Sequence, residues 1–153
     1  MSHVTDDDRR TRRVSESALD TVFRGARTFK TWLPVPVPAS VLREAYELAS
    51  LAPTAANSNP ARFVFLTTEE AKARLLPAVK PGNVEQTRTA PVTAIVAYDL
   101  EFMQHRPTLL PHLPAPPAEA PAPDARLVLD TAQRNGTLQG AYFMVAARAL
   151  GLD

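Results

Sequence analysis

The proline-bounded loop Pro53-Thr54-Ala55-Ala56-Asn57-Ser58-Asn59-Pro60 constrains this chain most, because it must join a helix to a strand. Upstream, Val41, Leu42, Ala45, Tyr46, Leu48 and Ala49 recur at the spacing of a broad apolar helical face. Downstream, Phe63-Val64-Phe65-Leu66 reads as a buried strand. Between them stand small residues, amides and hydroxyls. Such a loop exposes backbone N–H groups and side-chain amides and lets a ligand come close. That suits a planar, hydrogen-bonding cofactor, and it is also the composition of an ordinary helix-to-strand connection.

Local signals predict mixed α and β. A first helix is expected over about Ser17–Arg24, with Ser15 or Ser17 as its cap. Pro34, Pro36 and Pro38 force extended chain. A second helix opens at Ser40 or its neighbour and ends near Leu51. There follow a strand over Phe63–Thr67, a helix from Thr68 to about Leu76, a turn at Pro81-Gly82, and a short helix from Asn83. A strand over Val92–Tyr98 and a long helix from about Arg126 to Leu150 complete the order. That last helix carries Leu138, Ala141, Tyr142, Val145, Ala149 and Leu152 on one stripe, with Gly140, Ala146 and Ala147 beside it. Core packing or a closely approaching helix would use such a stripe. Seven of the 15 prolines lie between Arg106 and Pro123, which reads as neither helix nor central strand but as a flexible, partly polyproline insertion.

At 153 residues, 45% hydrophobic and 22% charged, the chain is expected to be one domain with a real core. A net charge of +1, with no basic stripe interleaved with aromatics, gives no reason to expect nucleic acid. No apolar run reaches membrane-span length and no signal-peptide pattern opens the chain, so cytoplasmic residence without a membrane partner is the expectation. Residues 1–14, which include Asp6-Asp7-Asp8-Arg9-Arg10 and Arg12-Arg13, read as a disordered, solvated tail.

Cysteine is absent, which excludes disulfides, thiol catalysis and cysteine-held metals. The only histidines are His3, His105 and His112, and no H-E-x-x-H spacing occurs, so no metal site is expected. Neither a Ser-His-Asp set nor a glycine-rich phosphate loop is legible. An enzyme with so little chemistry of its own leaves the hard step to a bound cofactor.

Four segments, in order, resemble the FMN-dependent nitroreductase family, closest to the branch that includes the malonic semialdehyde reductase of pyrimidine breakdown. They are Ala26-Arg27-Thr28-Phe29-Lys30-Thr31-Trp32, the Pro53–Pro60 loop, Gly82-Asn83-Val84-Glu85-Gln86 leading to Ala90-Pro91-Val92-Thr93-Ala94-Ile95-Val96-Ala97, and Asn135 through Gly151-Leu152-Asp153. The resemblance runs from about Ser17 onward. It implies an α+β fold, a three-layer α-β-α sandwich with a central, mainly antiparallel sheet. The expected domain is 15–153, with a proline-rich lid over 104–124 that covers the flavin and shapes the substrate site.

The resemblance further implies a homodimer with FMN at the subunit interface and the last helix central to it. NADH or NADPH would reduce the flavin, and a small aldehyde (3-oxopropanoate, giving 3-hydroxypropanoate) or a nitro or quinone compound would reoxidise it by ping-pong turnover. No side chain is implied to be catalytic, because the chemistry lies at flavin N5. Arg27, Thr28 and Lys30 match phosphate contacts. Pro53, Thr54, Ala55 and Asn57 match a loop that reaches the flavin from the partner subunit. Asn83 and Gln86 match contacts to its pyrimidine edge, and Asn135 a further polar contact. His105, Arg106 and His112 are candidates for meeting an acidic substrate.

This chain departs from the family at Ala26, where an arginine is usual, at Asn59, where glutamine is commoner, and at Ala61, which replaces an aromatic. Gln86 replaces a lysine and so removes a charge that would stabilise the reduced, anionic ring. The family's C-terminal strand and basic phosphate contacts are not found before Asp153, so the family fold is expected to be incomplete here. That keeps a second reading open, a non-catalytic flavin-binding or assembly protein of the same fold.

Overall fold

In the computed structural model, which describes residues 13–114 and 123–153, helix α1 (Glu16–Leu19) starts where Ser15 Oγ accepts the Ala18 N–H at 3.1 Å. It runs on into a π-helical turn, Asp20–Arg24. The proline-spaced chain up to Pro38 carries no regular element, as expected. Helix α2 (Ala39–Ser50) opens at Ala39, the neighbour of Ser40, as expected, with Pro38 at its cap position. The Pro38 carbonyl accepts from Val41 and Leu42 N–H, and the fixed φ of the ring sets the approach. Strand β1 (Ala61–Leu66) begins two residues before the expected start, immediately after Pro60.

Helix α3 (Glu69–Leu75) is capped by Thr68, whose hydroxyl accepts the Ala71 N–H at 3.2 Å. After two short turns come α4 (Val84–Thr89) and β2 (Thr93–Tyr98). Arg106–Leu109 forms a single helical turn, α5, which corrects the expectation that the proline-rich segment excludes helix. Pro107 lies in its first turn, where no N–H is needed for the helical ladder. The remainder of the expected lid, 115–122, and the tail up to residue 12 lie outside the described residues. Helix α6 (Ala125–Ala149) closes the order, with Asp124 accepting the Arg126 N–H at 2.8 Å.

The two strands pair antiparallel from Ala61↔Tyr98 to Leu66↔Thr93. Strand alternation puts Ala61, Phe63 and Phe65 on one face, opposite Tyr98, Val96 and Ala94. Against that face pack α2 and α6, through Tyr46 and Phe143, whose rings lie 5.9 and 5.0 Å from that of Phe63. Each such aromatic pair contributes about 0.5–1.5 kcal/mol beyond its burial. Leu42, Ala45, Ala49, Ala132 and Ala146 are buried in this layer.

Small residues on α6 are needed because β2 comes very close. A Cβ on Gly136 would stand 3.2 Å from the Tyr98 Cβ, and one on Gly140 3.4 Å from Val96 Cγ1. The fully buried residues of α6 are therefore Ala132, Asn135, Gly136, Gln139 and Ala146, with Phe143 packed on Phe63 and Phe65 further along. The apolar stripe is not in the core of this chain: Leu138, Tyr142 and Val145 keep 40–45% of their surface exposed.

Candidate functional site

The loop after α2 is bent by three non-glycine residues in the left-handed region: Ala56 (φ 50°), Asn57 (φ 49°) and Asn59 (φ 41°). Asparagine tolerates this conformation, whereas alanine pays about 1–2 kcal/mol for it. Within the loop, Asn57 N–H donates to the Thr54 carbonyl at 3.0 Å, and Asn59 N–H to Thr54 Oγ1 at 3.2 Å. Helix α6 supplies the rest. Asn135 Oδ1 accepts the Ala55 N–H at 2.7 Å, while its Nδ2 donates to the Thr131 carbonyl at 2.8 Å. Gln139 Oε1 accepts the Ala61 N–H at 2.9 Å, and its Nε2 donates to Asn59 Oδ1 at 2.8 Å. Both amides are buried. Bonds worth about 0.5–1.5 kcal/mol each are of the size needed to offset the strain.

At the outer end of the loop, Asn59 Nδ2 donates to Asn57 Oδ1 at 2.6 Å, and Asn57 Nδ2 donates to the Leu109 carbonyl at 3.0 Å. Pro53, Ala55 and Asn57 are exposed and Thr54 is half-buried. Asn135 already meets a partner within the chain at each end of its amide. Gln139 was not singled out from sequence. The signal for it was there: two amides spaced i, i+4 fall on one side of a helix.

A second group forms elsewhere. Trp32 Nε1 donates to the Gln86 carbonyl at 2.9 Å and docks the Arg27–Lys30 segment on α4. Arg27 Nη1 donates to the Arg24 and Ala26 carbonyls at 2.9 and 2.7 Å, and Thr28 and Lys30 are exposed. Asn83 stands exposed at the start of α4, with Gln86 half-buried one turn on. Lys72, also missed from sequence, is buried beneath this helix and donates from Nζ to the Arg88 and Ala90 carbonyls at 2.9 and 2.7 Å. The described hydrogen bonds thus join Asn135 to the loop at Ala55 and tie the chain just after Lys30 to Gln86 through Trp32; none links Arg27, Thr28 or Lys30 to Asn83 or Gln86.

Beside the loop lies a cleft of about 220 Å³, between Ala55–Ser58, the corner at Phe102 and Leu109, and Leu127 and Thr131 of α6. Its walls are mainly apolar, and Arg106 lies at its side. Ser58 Oγ is buried without a hydrogen-bond partner among the described residues. His105 is engaged away from the cleft, with Nε2 3.3 Å from Asp99 Oδ2, and His112 is exposed. The Glu101 N–H, donating at 2.7 Å, holds the Asp99 carboxyl below the usual carboxylate range, helped by Arg62 and His105. Among the described residues no His, Asp and Glu cluster is arranged to hold a metal, and no helix is long and apolar enough to cross a membrane.

The family model described as Nitroreductase family matches residues 23–153. Over 136 residues the chain is 54% identical to a Cupriavidus pinatubonensis protein provisionally named NADH dehydrogenase/NAD(P)H nitroreductase, covering 88% of this chain and 69% of that one. A protein of the same provisional name from Stenotrophomonas maltophilia is 50% identical over 153 residues, covering 100% of this chain and 72% of its own length. In fold, the chain is similar to a provisionally named nitroreductase of Exiguobacterium sibiricum solved in complex with FMN, at a TM-score of 0.75 and 23% identity, with 91% of this chain and 73% of that one covered.

Proposed function

The chain belongs to the nitroreductase family, and from that premise we propose that it is an oxidoreductase that holds FMN and uses NADH or NADPH to reduce a second small molecule. The observation that carries this reading is the strained Pro53–Pro60 loop, gripped from α6 so that its outer residues stay exposed in a fixed shape. Strain of this kind persists where a site needs it.

The residues present fit the cofactor. Arg27 and the exposed ammonium of Lys30 suit a phosphate, with the Thr28 hydroxyl beside them. Asn83 and Gln86 offer amide donors and acceptors to a pyrimidine edge. Thr54, Ala55 and Asn57, after Pro53, offer a hydroxyl, backbone groups and an amide from the loop. Asn135 acts by holding the loop. The chemistry a flavin supplies at such a site is hydride transfer, taken from a nicotinamide and given to a second substrate.

Two sets of donors on one chain make sense if two copies complete each site. The exposed side of α6, with Leu138, Tyr142 and Val145, offers the apolar surface a second copy would cover, and a homodimer would bring the loop of one subunit to the phosphate and pyrimidine contacts of the other. Phe102–Leu110 forms one wall of the cleft and would act as the inner part of a lid. Mainly apolar walls suit a nitro or quinone compound. Arg106 keeps 3-oxopropanoate, reduced to 3-hydroxypropanoate, as the finer alternative, with its carboxylate on the guanidinium.

The test is uptake and turnover of FMN by the purified protein. A yellow complex is expected, bleached by NADH or NADPH without oxygen and recoloured by a quinone, a nitro compound or 3-oxopropanoate. A colourless protein that FMN neither binds nor stabilises would overturn this reading in favour of a non-catalytic assembly protein of the same fold.

A further inference from the structure

Three side-chain amides form a directed chain of hydrogen bonds across the loop, and its polarity is set at both ends by the backbone. At the inner end the Ala61 N–H can only donate, which fixes Oε1 of Gln139 as the acceptor at 2.9 Å and turns Nε2 outward. That nitrogen donates to Asn59 Oδ1 at 2.8 Å, Asn59 Nδ2 donates to Asn57 Oδ1 at 2.6 Å, and Asn57 Nδ2 donates to the Leu109 carbonyl at 3.0 Å. The Leu109 carbonyl can only accept. Every bond therefore points one way, from the first residue of β1 to the wall of the cleft.

The inner end is rigid. Gln139 is 4% exposed, and it sits between Gly136 and Gly140, which lie directly over Tyr98 and Val96. One turn earlier, Asn135 holds the Ala55 N–H and so fixes the other end of the loop. The outer end reaches the corner Phe102–Leu110, whose turns close through Leu110 N–H to the Arg106 carbonyl at 2.8 Å and Leu113 N–H to the Leu110 carbonyl at 3.1 Å.

We infer that Gln139 is a positioning residue acting through Asn59: the amide relay Gln139–Asn59–Asn57 aims the Asn57 side chain and ties the Phe102–Leu110 corner against the loop, so that the cofactor-facing loop and the substrate cleft are shaped together. This rests on the flavin reading above for its consequence and on the structure alone for its geometry.

Gln139→Glu keeps the acceptor for Ala61 and loses the outward donor. Asn59 and then Asn57 must turn over to satisfy it, and the chain then ends with Asn57 Oδ1 against the Leu109 carbonyl, where no bond can form. Asn59→Gly breaks the relay in the middle without adding a charge, and glycine accepts the left-handed backbone of this position (φ 41°). In both variants, amide exchange across residues 102–113 is expected to speed up about tenfold or more relative to wild type, with the circular dichroism spectrum unchanged, and FMN affinity to fall about tenfold. Asn59→Gly serves alone if the buried charge of Gln139→Glu prevents folding. Exchange within twofold of wild type in a folded Asn59→Gly variant overturns the relay. Faster exchange with unaltered FMN affinity overturns its role in positioning. A wild-type protein that takes up no FMN sinks the flavin reading instead, and the relay is then decided by the exchange data.

Discussion

The ammonium of Lys72 donates to the Ala90 carbonyl at 2.7 Å from within the fold, at the C-terminal end of α4. Its second bond, to the Arg88 carbonyl at 2.9 Å, makes one buried cation the cap of that helix. A cation at a helix C-terminus opposes the partial negative charge there, and the carbonyls replace part of the lost hydration. Lys72→Met keeps an unbranched apolar stem, removes the ammonium and strands both carbonyls. A loss of about 2 kcal/mol is expected, read as a lower urea midpoint at unchanged slope.

Ala56 is the one residue of the loop whose left-handed backbone has neither a side-chain amide nor a missing Cβ to excuse it. Ala56→Gly removes a penalty of about 1–2 kcal/mol and adds about 0.5–1 kcal/mol of unfolded-state entropy. The expected net is a stabilisation of about 0.5–1 kcal/mol, visible as a higher melting temperature with the loop's hydrogen bonds intact.

Asp99 joins the end of β2 to the turn that begins the cleft wall, through the Glu101 N–H, Arg62 and His105. Those partners lower its pKa in the folded state. A depressed carboxylate stabilises the fold at pH values above its unfolded pKa of about 3.9, and that contribution is lost as pH falls below it through the folded value. Asp99→Asn is therefore expected to cost about 1 kcal/mol at neutral pH. The gap from wild type should close in acid, as measured by urea unfolding across the acidic and neutral range.

Trp32 is the sole residue of the Arg27–Trp32 segment with a described side-chain hydrogen bond to α4, 54 residues away. Phenylalanine in its place keeps the apolar contact and deletes the donor. Trp32→Phe is expected to lose about 1 kcal/mol of stability and, if the proposed site is right, to weaken FMN binding several-fold, because the segments proposed to meet the phosphate and the pyrimidine edge are no longer held together. A fluorescence titration of the apoprotein checks the second effect against the first.

In the proposed site, Gln86 would place a neutral amide where a lysine would put a charge beside the reduced flavin. Gln86→Lys is expected to raise the midpoint potential of bound FMN by about 30 mV, equivalent to roughly 1.4 kcal/mol for two electrons. Spectroelectrochemical titration of the two proteins measures it directly.

Helix starts and the places of the strands were legible from local chemistry. Thr68 caps α3 and Ser15 caps α1 because short hydroxyls satisfy free N–H groups wherever a helix begins. The strand at Phe63-Val64-Phe65-Leu66 was also legible, but as a run buried throughout, whereas Val64 is 50% exposed because successive side chains point to opposite faces and the helices cover only the Phe63 and Phe65 face. The Pro53–Pro60 loop and its polar, small-residue character could also be read directly, as could the segments that mark the family. The helical turn at Arg106–Leu109 escaped because proline density was read as a general bar to helix, although the first turn of a helix tolerates proline.

By itself, then, the sequence determined the order of elements, the place of the loop and the kind of cofactor it suits, since each follows from near neighbours or from a short motif. Only the tertiary structure decided which way α6 faces and what Asn135, Gln139 and Lys72 do. The most apolar stripe of α6 is exposed in this chain, and its inner face is alanine, glycine and two amides, with Phe143 beyond them on Phe63. Close packing on β2 leaves no room for large side chains, and the strained loop needs buried donors and acceptors more than it needs apolar cover.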